Sequence, residues 1–231
     1  MVTSDRFRNA MSPSILFIGK KKDFYCERAV EFVKAHFPEH EILLGQRDDK
    51  FPEETGWWKG DYIISYLSPW IIPEYLLNRA EKASINFHPG SPEYPGIGCT
   101  NFAIYDKVDT FGVTCHHMNS KVDTGNMIAV KRFPLYQSDT VFTLTQRCYG
   151  YILQLFYEVA SVILAGDDLP HSNESWKRKP YKRKELNELC KITSDMSVEE
   201  IRRRIKAVTF PNAPGAYIEI DGMKFNYEPN K

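Results

Sequence analysis

The strongest constraint on the fold is an alternation of short apolar runs with an amphipathic segment near the start of the chain. Ser14-Ile15-Leu16-Phe17-Ile18-Gly19 is a brief apolar run that ends in glycine and reads as a buried strand. Asp23 can cap a helix whose apolar stripe is Cys26, Ala29, Val30, Val33 and Phe37, at three- and four-residue steps. Glu41 to Leu44 reads as a second strand, Tyr62 to Leu67 as a third and Ala83 to Phe87 as a fourth. Strands alternating with helical segments predict an α/β fold with a mostly parallel sheet. The loop after the first run is Gly19-Lys20-Lys21-Lys22, without G-x-G-x-x-G, so no dinucleotide site is expected. Whether those lysines meet a phosphate or only water is open at this point.

Residues 84–128 hold the candidate chemistry in Asn86, His88 and Asp123. Alternation along a strand projects Asn86 and His88 to one side. Pro89 biases His88 towards extended backbone and holds its ring at the strand's C-terminal end, where open α/β sheets bind ligands. An amide donor and an imidazole then face one crevice. Asp123 follows a second strand-like run, Phe111 to Met118, and lies in the turn-rich segment Asn119 to Gly125. Along that run Val113, Cys115 and His117 share one face, and Thr114 and His116 the other. Adjacent histidines near His88 raise a metal site. Neighbouring strand positions diverge, however, and no carboxylate sits at ligand spacing, so no metal is expected.

Four pieces occur in order: Asn86-Phe87-His88-Pro89, Gly96-Ile97-Gly98, Gly112-Val113-Thr114-Cys115-His116 and Asp123-Thr124-Gly125. Together they resemble the folate-dependent formyltransferases, whose members act on methionyl-tRNA, glycinamide ribonucleotide or nucleotide sugars. The resemblance implies a Rossmann-like, mostly parallel sheet with helices on both faces, plus a short C-terminal helix and β-hairpin. It divides the chain into a catalytic core, residues 1–170, and a C-terminal extension, residues 171–231. It implies N10-formyltetrahydrofolate as formyl donor, with Tyr66, Leu67, Ser68 and Asp123 lining the donor's pocket, the first three largely through backbone groups. Trp70, Ile71 and Ile72 are either walls of that pocket or ordinary core. Gly96, Ile97 and Gly98 would hold the acceptor.

The chemistry implied is attack of an amine on the formyl carbon. An Asn86 N–H aimed at the developing oxyanion is worth about 2.7–4 kcal/mol in a comparable site. His88 accepts the amine proton, help of typically about 10²–10⁴-fold. Asp123 would hold the imidazole's tautomer and favour its protonated form. Direct attack requires no covalent intermediate, so no Ser or Cys nucleophile is assigned, Cys99 beside the glycine loop included.

Three acceptors compete. Methionyl-tRNA is disfavoured by chain length and by charge balance, 30 basic against 30 acidic residues, and by Pro95-Gly96, where the tRNA enzymes carry Arg-Gly. Glycinamide ribonucleotide enzymes have Asp-Gly-Gly where this chain has Asp123-Thr124-Gly125. His116-His117-Met118, Pro95-Gly96-Ile97-Gly98 and the basic-aromatic stretch resemble the branch that acts on an aminodeoxy sugar carried on a nucleotide diphosphate, and that resemblance implies such an acceptor and cell-surface polysaccharide synthesis as the pathway. Trp176 to Lys184 carries six basic side chains in nine residues. It reads as a solvated charge run, as a nucleic-acid contact, or as a clamp on the sugar's diphosphate through Lys182 and Arg183. A non-catalytic folate- or nucleotide-binding module would show altered residues at 86, 88 or 123, and all three are intact.

The rest of the chain is scaffold. Ser138 or Asp139 is expected to cap a long helix with the stripe Leu144, Cys148, Tyr151, Ile152, Leu155, Val159 and Ile163, stopped by Gly166. Ser197 opens a later helix as a capping box with Glu200, leaving Arg202, Arg203 and Arg204 exposed. Asp221-Gly222 between alternating runs signals a two-residue hairpin, which could pair two copies across a two-fold and make a homodimer. Five cysteines without C-x-x-C suit reduced thiols. The start has no apolar leader, and the most apolar later window, Cys148 to Tyr157, is too short to span a bilayer. The expectation is a cytoplasmic protein with no membrane and no nucleic-acid partner.

Overall fold

The structure is a computed structural model and describes residues 12–228. The expectation of no apolar leader concerns residues that fall largely outside that range. The strands are β1 (Ile15–Lys20), β2 (His40–Gly45), β3 (Gly60–Tyr66), β4 (Ala80–His88), β5 (Thr110–His117), β6 (Met127–Pro134), β7 (Tyr217–Ile220) and β8 (Met223–Asn226). The helices are α1 (Phe24–His36), α2 (Glu74–Leu77), α3 (Cys99–Asp106), α4 (Val141–Ala165), α5 (Arg183–Cys190) and α6 (Val198–Val208). Six strands form one sheet in the order β2-β1-β3-β4-β5-β6, and β7-β8 is a separate hairpin. β1 pairs in parallel with β2 and β3, and β3 with β4. Met118 N–H donates to Ser84 O while the His116 ring lies beside Asn86, so β5 runs against β4. The α/β expectation holds.

The chain groups into two compact units. Among the described residues, the first contains 12–87, 115–129 and 153–173. Its core is aromatic: Phe156 on α4 meets Phe17, Tyr66 and Phe87 at 6.0, 5.6 and 5.6 Å between ring centroids. These rings are fully buried because β1, β3 and β4 each turn one face inwards. The second unit contains, among the described residues, 88–114, 130–152 and 174–228. Stacks hold it together: Phe133 on Tyr151 at 4.2 Å, and Phe102 on Tyr181 at 3.6 Å.

Capping follows the expected chemistry at α1, where Asp23 Oδ1 accepts from Cys26 N, and at α6, where Ser197 Oγ accepts from Glu200 N. Four expectations need correction. α4 begins one residue later than expected: Thr140 Oγ1 accepts from Thr143 N, while Asp139 takes Tyr136 N and pairs with Arg147. The fourth strand, expected over Ala83 to Phe87, starts earlier and runs longer, because only Glu74–Leu77 coils before the chain enters β4 at Ala80. Arg203 and Arg204 are half-buried, since Tyr105 O, Glu188 O and Lys191 O accept from their guanidinium groups. Finally, α4 is long and apolar enough to cross a membrane by length and composition, with a mean hydropathy of 1.4, which the shorter window missed. Its buried stripe of Leu144, Cys148, Ile152, Leu155, Val159 and Ile163 recurs every three or four residues, which is the pattern of a core helix.

Candidate active site

In the first unit, three of the polar side chains that the motifs single out meet in one place. β4 turns Phe87 into the aromatic core, which leaves Asn86 on the opposite face. β5 turns Cys115 inwards and places His116 against Asn86, with 3.1 Å between Nδ2 and Nε2. Asp123 Oδ1 lies 3.2 Å from the same Nε2, and both side chains are almost completely buried. The turn that delivers Asp123 is braced from within: Asn119 Oδ1 accepts from Lys121 N and from Thr124 Oγ1. Asp123 itself has a left-handed backbone, φ 46°. Asp tolerates that region better than most residues, and such strain collects at functional positions. Gly125 is required sterically, because a Cβ there would stand 1.9 Å from His117 O.

The proton positions follow from donor and acceptor types. His116 Nδ1 lies 2.7 Å from His117 O, a carbonyl that only accepts, so Nδ1 carries a proton. Nε2 then has one in-plane bond to make, and Asn86 and Asp123 compete for it. Neutral His116 accepts an N–H from Asn86; protonated His116 donates to the Asp123 carboxylate. In the neutral form the second N–H of the Asn86 amide stays available to a reacting oxygen.

His88 belongs to the second unit. Its Nε2 lies 3.0 Å from Tyr94 O, which assigns the proton to Nε2 and the lone pair to Nδ1. A carbonyl six residues along the chain thus takes part in selecting the tautomer. Gly90 leaves room for this bond, since a Cβ there would come 2.5 Å from Nε2. Thr114 Oγ1 and Cys99 Sγ donate to Gly90 O and Pro89 O and fix the loop.

The glycine loop and the basic segment are joined. Ile97 N donates to Tyr181 O, and Tyr181 N to Pro95 O. Gly96 and Gly98 have φ of 86° and 75°, and a Cβ on Gly96 would strike the Tyr181 backbone at 2.4 Å. Tyr181 is sandwiched between Phe102 and the Arg178 guanidinium, and Arg178 also pairs with Glu185. Those two residues are therefore structural. Lys182 and Arg183 remain exposed at the start of α5, a helix not foreseen from sequence, whose N-terminus is closed by Glu185 Oε2 accepting from Lys182 N.

Of the expected donor-pocket residues, Tyr66 has its side chain wholly in the core, so only its backbone is available to a ligand. Leu67 adopts φ 50°, an outlier for a branched residue. Ser68 Oγ accepts from Trp70 N and shapes the turn. The open choice for the next residues resolves by position: Ile72 is buried with Leu16, Ile18 and Ile63, and Trp70 packs on that cluster, whereas Ile71 is 74% exposed.

His117 points away from His116, towards a cavity of about 210 Å³ lined also by Asn126, Met127, Leu169, Pro170 and His171. Burial pushes its imidazole below the ordinary 6.5, with His116 and His171 adding to the shift. The folded chain then holds fewer protons on His117 than the unfolded chain. Its stabilising contribution is complete above about pH 6.5 and is lost as pH falls below that value. Thermal melts should therefore show Tm dropping on acidification, with a shallower drop in His117→Gln; superimposable curves would refute this.

All five cysteines are free. Burial raises the thiol of Cys26 to about 12 and also pushes those of Cys115 and Cys148 well up from the ordinary value, so none of these three offers a thiolate at neutral pH. Among the described residues no group of three or more His, Cys, Asp or Glu could hold a metal.

The sequence pattern of a family described as "Formyl transferase" matches residues 17–159. GDP-perosamine N-formyltransferase of Brucella melitensis is 31% identical over 171 residues, 74% of this chain and 64% of the relative. Methionyl-tRNA formyltransferase of Azobacteroides pseudotrichonymphae is 26% identical over 213 residues, 85% of this chain and 63% of the relative. The chain thus spans less than two thirds of the length of these curated relatives. Among solved structures, a sugar N-formyltransferase from a Shewanella species shares the fold with a TM-score of 0.74 at 19% identity, covering 94% of this chain and 97% of that one. A 4-N formyltransferase from Francisella tularensis does so with a TM-score of 0.74 at 18% identity, covering 93% and 96%.

Proposed function

The chain belongs to the formyl transferase family, and from that premise we propose that it transfers the formyl group of N10-formyltetrahydrofolate to the amino group of a nucleotide-linked aminodeoxy sugar. The observation that carries the reaction class is the buried meeting of Asn86, His116 and Asp123. The acceptor class is supported by the relative that acts on GDP-perosamine. The donor supplies an activated formyl carbon, and the chain's own residues supply the rest. The free Asn86 N–H stabilises charge that develops on the formyl oxygen. Nδ1 of His88 takes the proton that the attacking amine releases. Asp123, through its competition for His116, controls whether the Asn86 amide is held in its donating orientation. The strained Tyr66–Ser68 segment and Asp123 hold the donor; Gly96, Ile97, Gly98, Lys182 and Arg183 hold the acceptor, the two cations facing its diphosphate.

The test is a formylation assay with N10-formyltetrahydrofolate against dTDP-, UDP- and GDP-aminosugars, with glycinamide ribonucleotide and methionyl-tRNA as controls. Turnover with an aminosugar alone is expected, and turnover confined to either control would overturn the acceptor. On the same reading the chain works in the cytoplasm and feeds cell-surface polysaccharide synthesis, residues 1–170 being the catalytic core and 171–231 its extension.

The proposal includes a homodimer. Register pairs Ile218 with Phe225 and Ile220 with Met223, so four apolar side chains share one face of the hairpin, each 41–57% exposed. Glu219 and Lys224 fall on the other face. Asp221 and Gly222, at φ 49° and 78°, make the turn rigid. An isolated two-stranded ribbon with an apolar face is marginal in water, and a second copy covers that face symmetrically. Sedimentation should give a dimer, and Ile218→Lys with Phe225→Lys a monomer; a monomeric wild type would refute it.

A further inference from the structure

We propose that Asn119 is a positioning residue for Asp123, its side-chain carbonyl oxygen holding the turn that sets the carboxylate against His116; the consequence for turnover rests on the formyl-transfer reading above. His117 N donates to Asn126 O at 2.9 Å, so residues 118–125 are the connection between β5 and β6. Within it Asp123 is buried, 5% exposed, while Asn119, Lys121, Val122 and Thr124 stand in solvent. A turn with so little of itself buried draws little restraint from packing, and its shape depends on its own hydrogen bonds.

The Asn119 oxygen accepts two of them. Lys121 N, which can only donate, lies 3.0 Å from Oδ1, and this assigns the oxygen and nitrogen of the amide. Thr124 Oγ1 lies 2.7 Å from the same oxygen and 2.9 Å from Lys121 O, so its single hydroxyl proton is shared between two acceptors that both belong to the turn. One atom of Asn119 thereby ties Lys121 to the residue that follows Asp123. Gly125 closes the far end against His117 O, where no side chain fits. Between these ties Asp123 is held at φ 46°. The cost of a non-glycine residue in the left-handed region is of the same order as the gain from two ordinary hydrogen bonds. Removing those bonds therefore lets the backbone relax. The carboxylate's own bonds, the one to His116 among them, orient the side chain; the Asn119 oxygen sets the backbone from which it reaches. A different acceptor of the same shape at 119 keeps this geometry. A residue that acted on a substrate through its N–H₂ would lose its role on the same exchange.

The experiment uses the full chain with Asn119→Ala, Asn119→Asp and Thr124→Val. Asn119→Ala is expected to lower kcat by about five- to thirtyfold with the acceptor's KM nearly unchanged, Asn119→Asp to restore most of it, and Thr124→Val to lower it by about two- to fivefold. Independently of turnover, long-range proton–nitrogen correlation spectra read the His116 ring, assigned by its loss in His116→Ala. In Asn119→Ala the His116 signals should move towards those of Asp123→Asn, which marks the pair broken, and in Asn119→Asp they should stay with wild type. His116 signals unmoved in Asn119→Ala would overturn the proposal, as would failure of Asn119→Asp to restore turnover, or a loss confined to the acceptor's KM. Should Asn119→Ala fail to fold, Thr124→Val carries the same test, because it removes one of the two bonds and leaves Asn119 in place; unmoved His116 signals there would overturn the proposal. A wild type without formyl transfer, whose His116 signals still move in Asn119→Ala, would refute the function and support the brace.

Discussion

His88→Asn should reduce kcat by about 10²–10⁴-fold while leaving the affinity for the nucleotide sugar nearly unchanged. The expectation follows from where the proton sits. Tyr94 O takes the Nε2 proton, so Nδ1 is the only basic atom the residue offers. An asparagine amide can keep a bond to Tyr94 O, because its N–H₂ donates as Nε2–H does, and Gly90 leaves room for the substitution. What it cannot do is accept a proton at neutral pH and release it again. The loop would stay closed, since Cys99 and Thr114 hold Pro89 and Gly90 without help from the ring. Steady-state kinetics should therefore show the loss in kcat, and calorimetric titration of the acceptor should show almost none in binding. A variant as active as wild type would remove His88 from the chemistry.

Much of the fold was legible because burial is written in side-chain period. The apolar run at Ile15–Ile18, the stripe of α1 and the Asp221-Gly222 turn each depend on neighbours in sequence, and each appeared where expected. α5 was hidden by the run of six basic residues from Lys177 to Lys184 that leads into it and masks the Leu186 and Leu189 stripe. The start of β4 was hidden likewise, since Glu81 and Lys82 look like the polar end of a helix. At the candidate site the motifs named Asn86, His88 and Asp123 but gave His116 no task. Its face on β5 was readable from alternation; its meeting with Asn86 depends on β5 running against β4, and strand direction is a long-range fact with no local signature. The carbonyl that sets the His88 tautomer was equally invisible, because a backbone oxygen has no letter in the sequence.

That meeting yields the second large effect. Asn86→Ala should lower kcat by about 10²–10³-fold, the usual loss when one donor to a developing oxyanion is removed. The substitution does more than delete a donor, because it also leaves His116 Nε2 with Asp123 as its remaining partner in this cluster. If His116 acts on the reaction by orienting the Asn86 amide, then its own removal matters only while Asn86 is present. His116→Ala should slow wild type, yet change little in an Asn86→Ala background. A double-mutant cycle reads this directly, and residues in one hydrogen-bonded network are where such cycles depart from additivity. Strict additivity would mean that His116 reaches the reacting atoms without Asn86, through Asp123. The cycle with Asp123→Asn would then carry the coupling instead, and the proton on Nε2 rather than the orientation of the amide would be the quantity that the site controls.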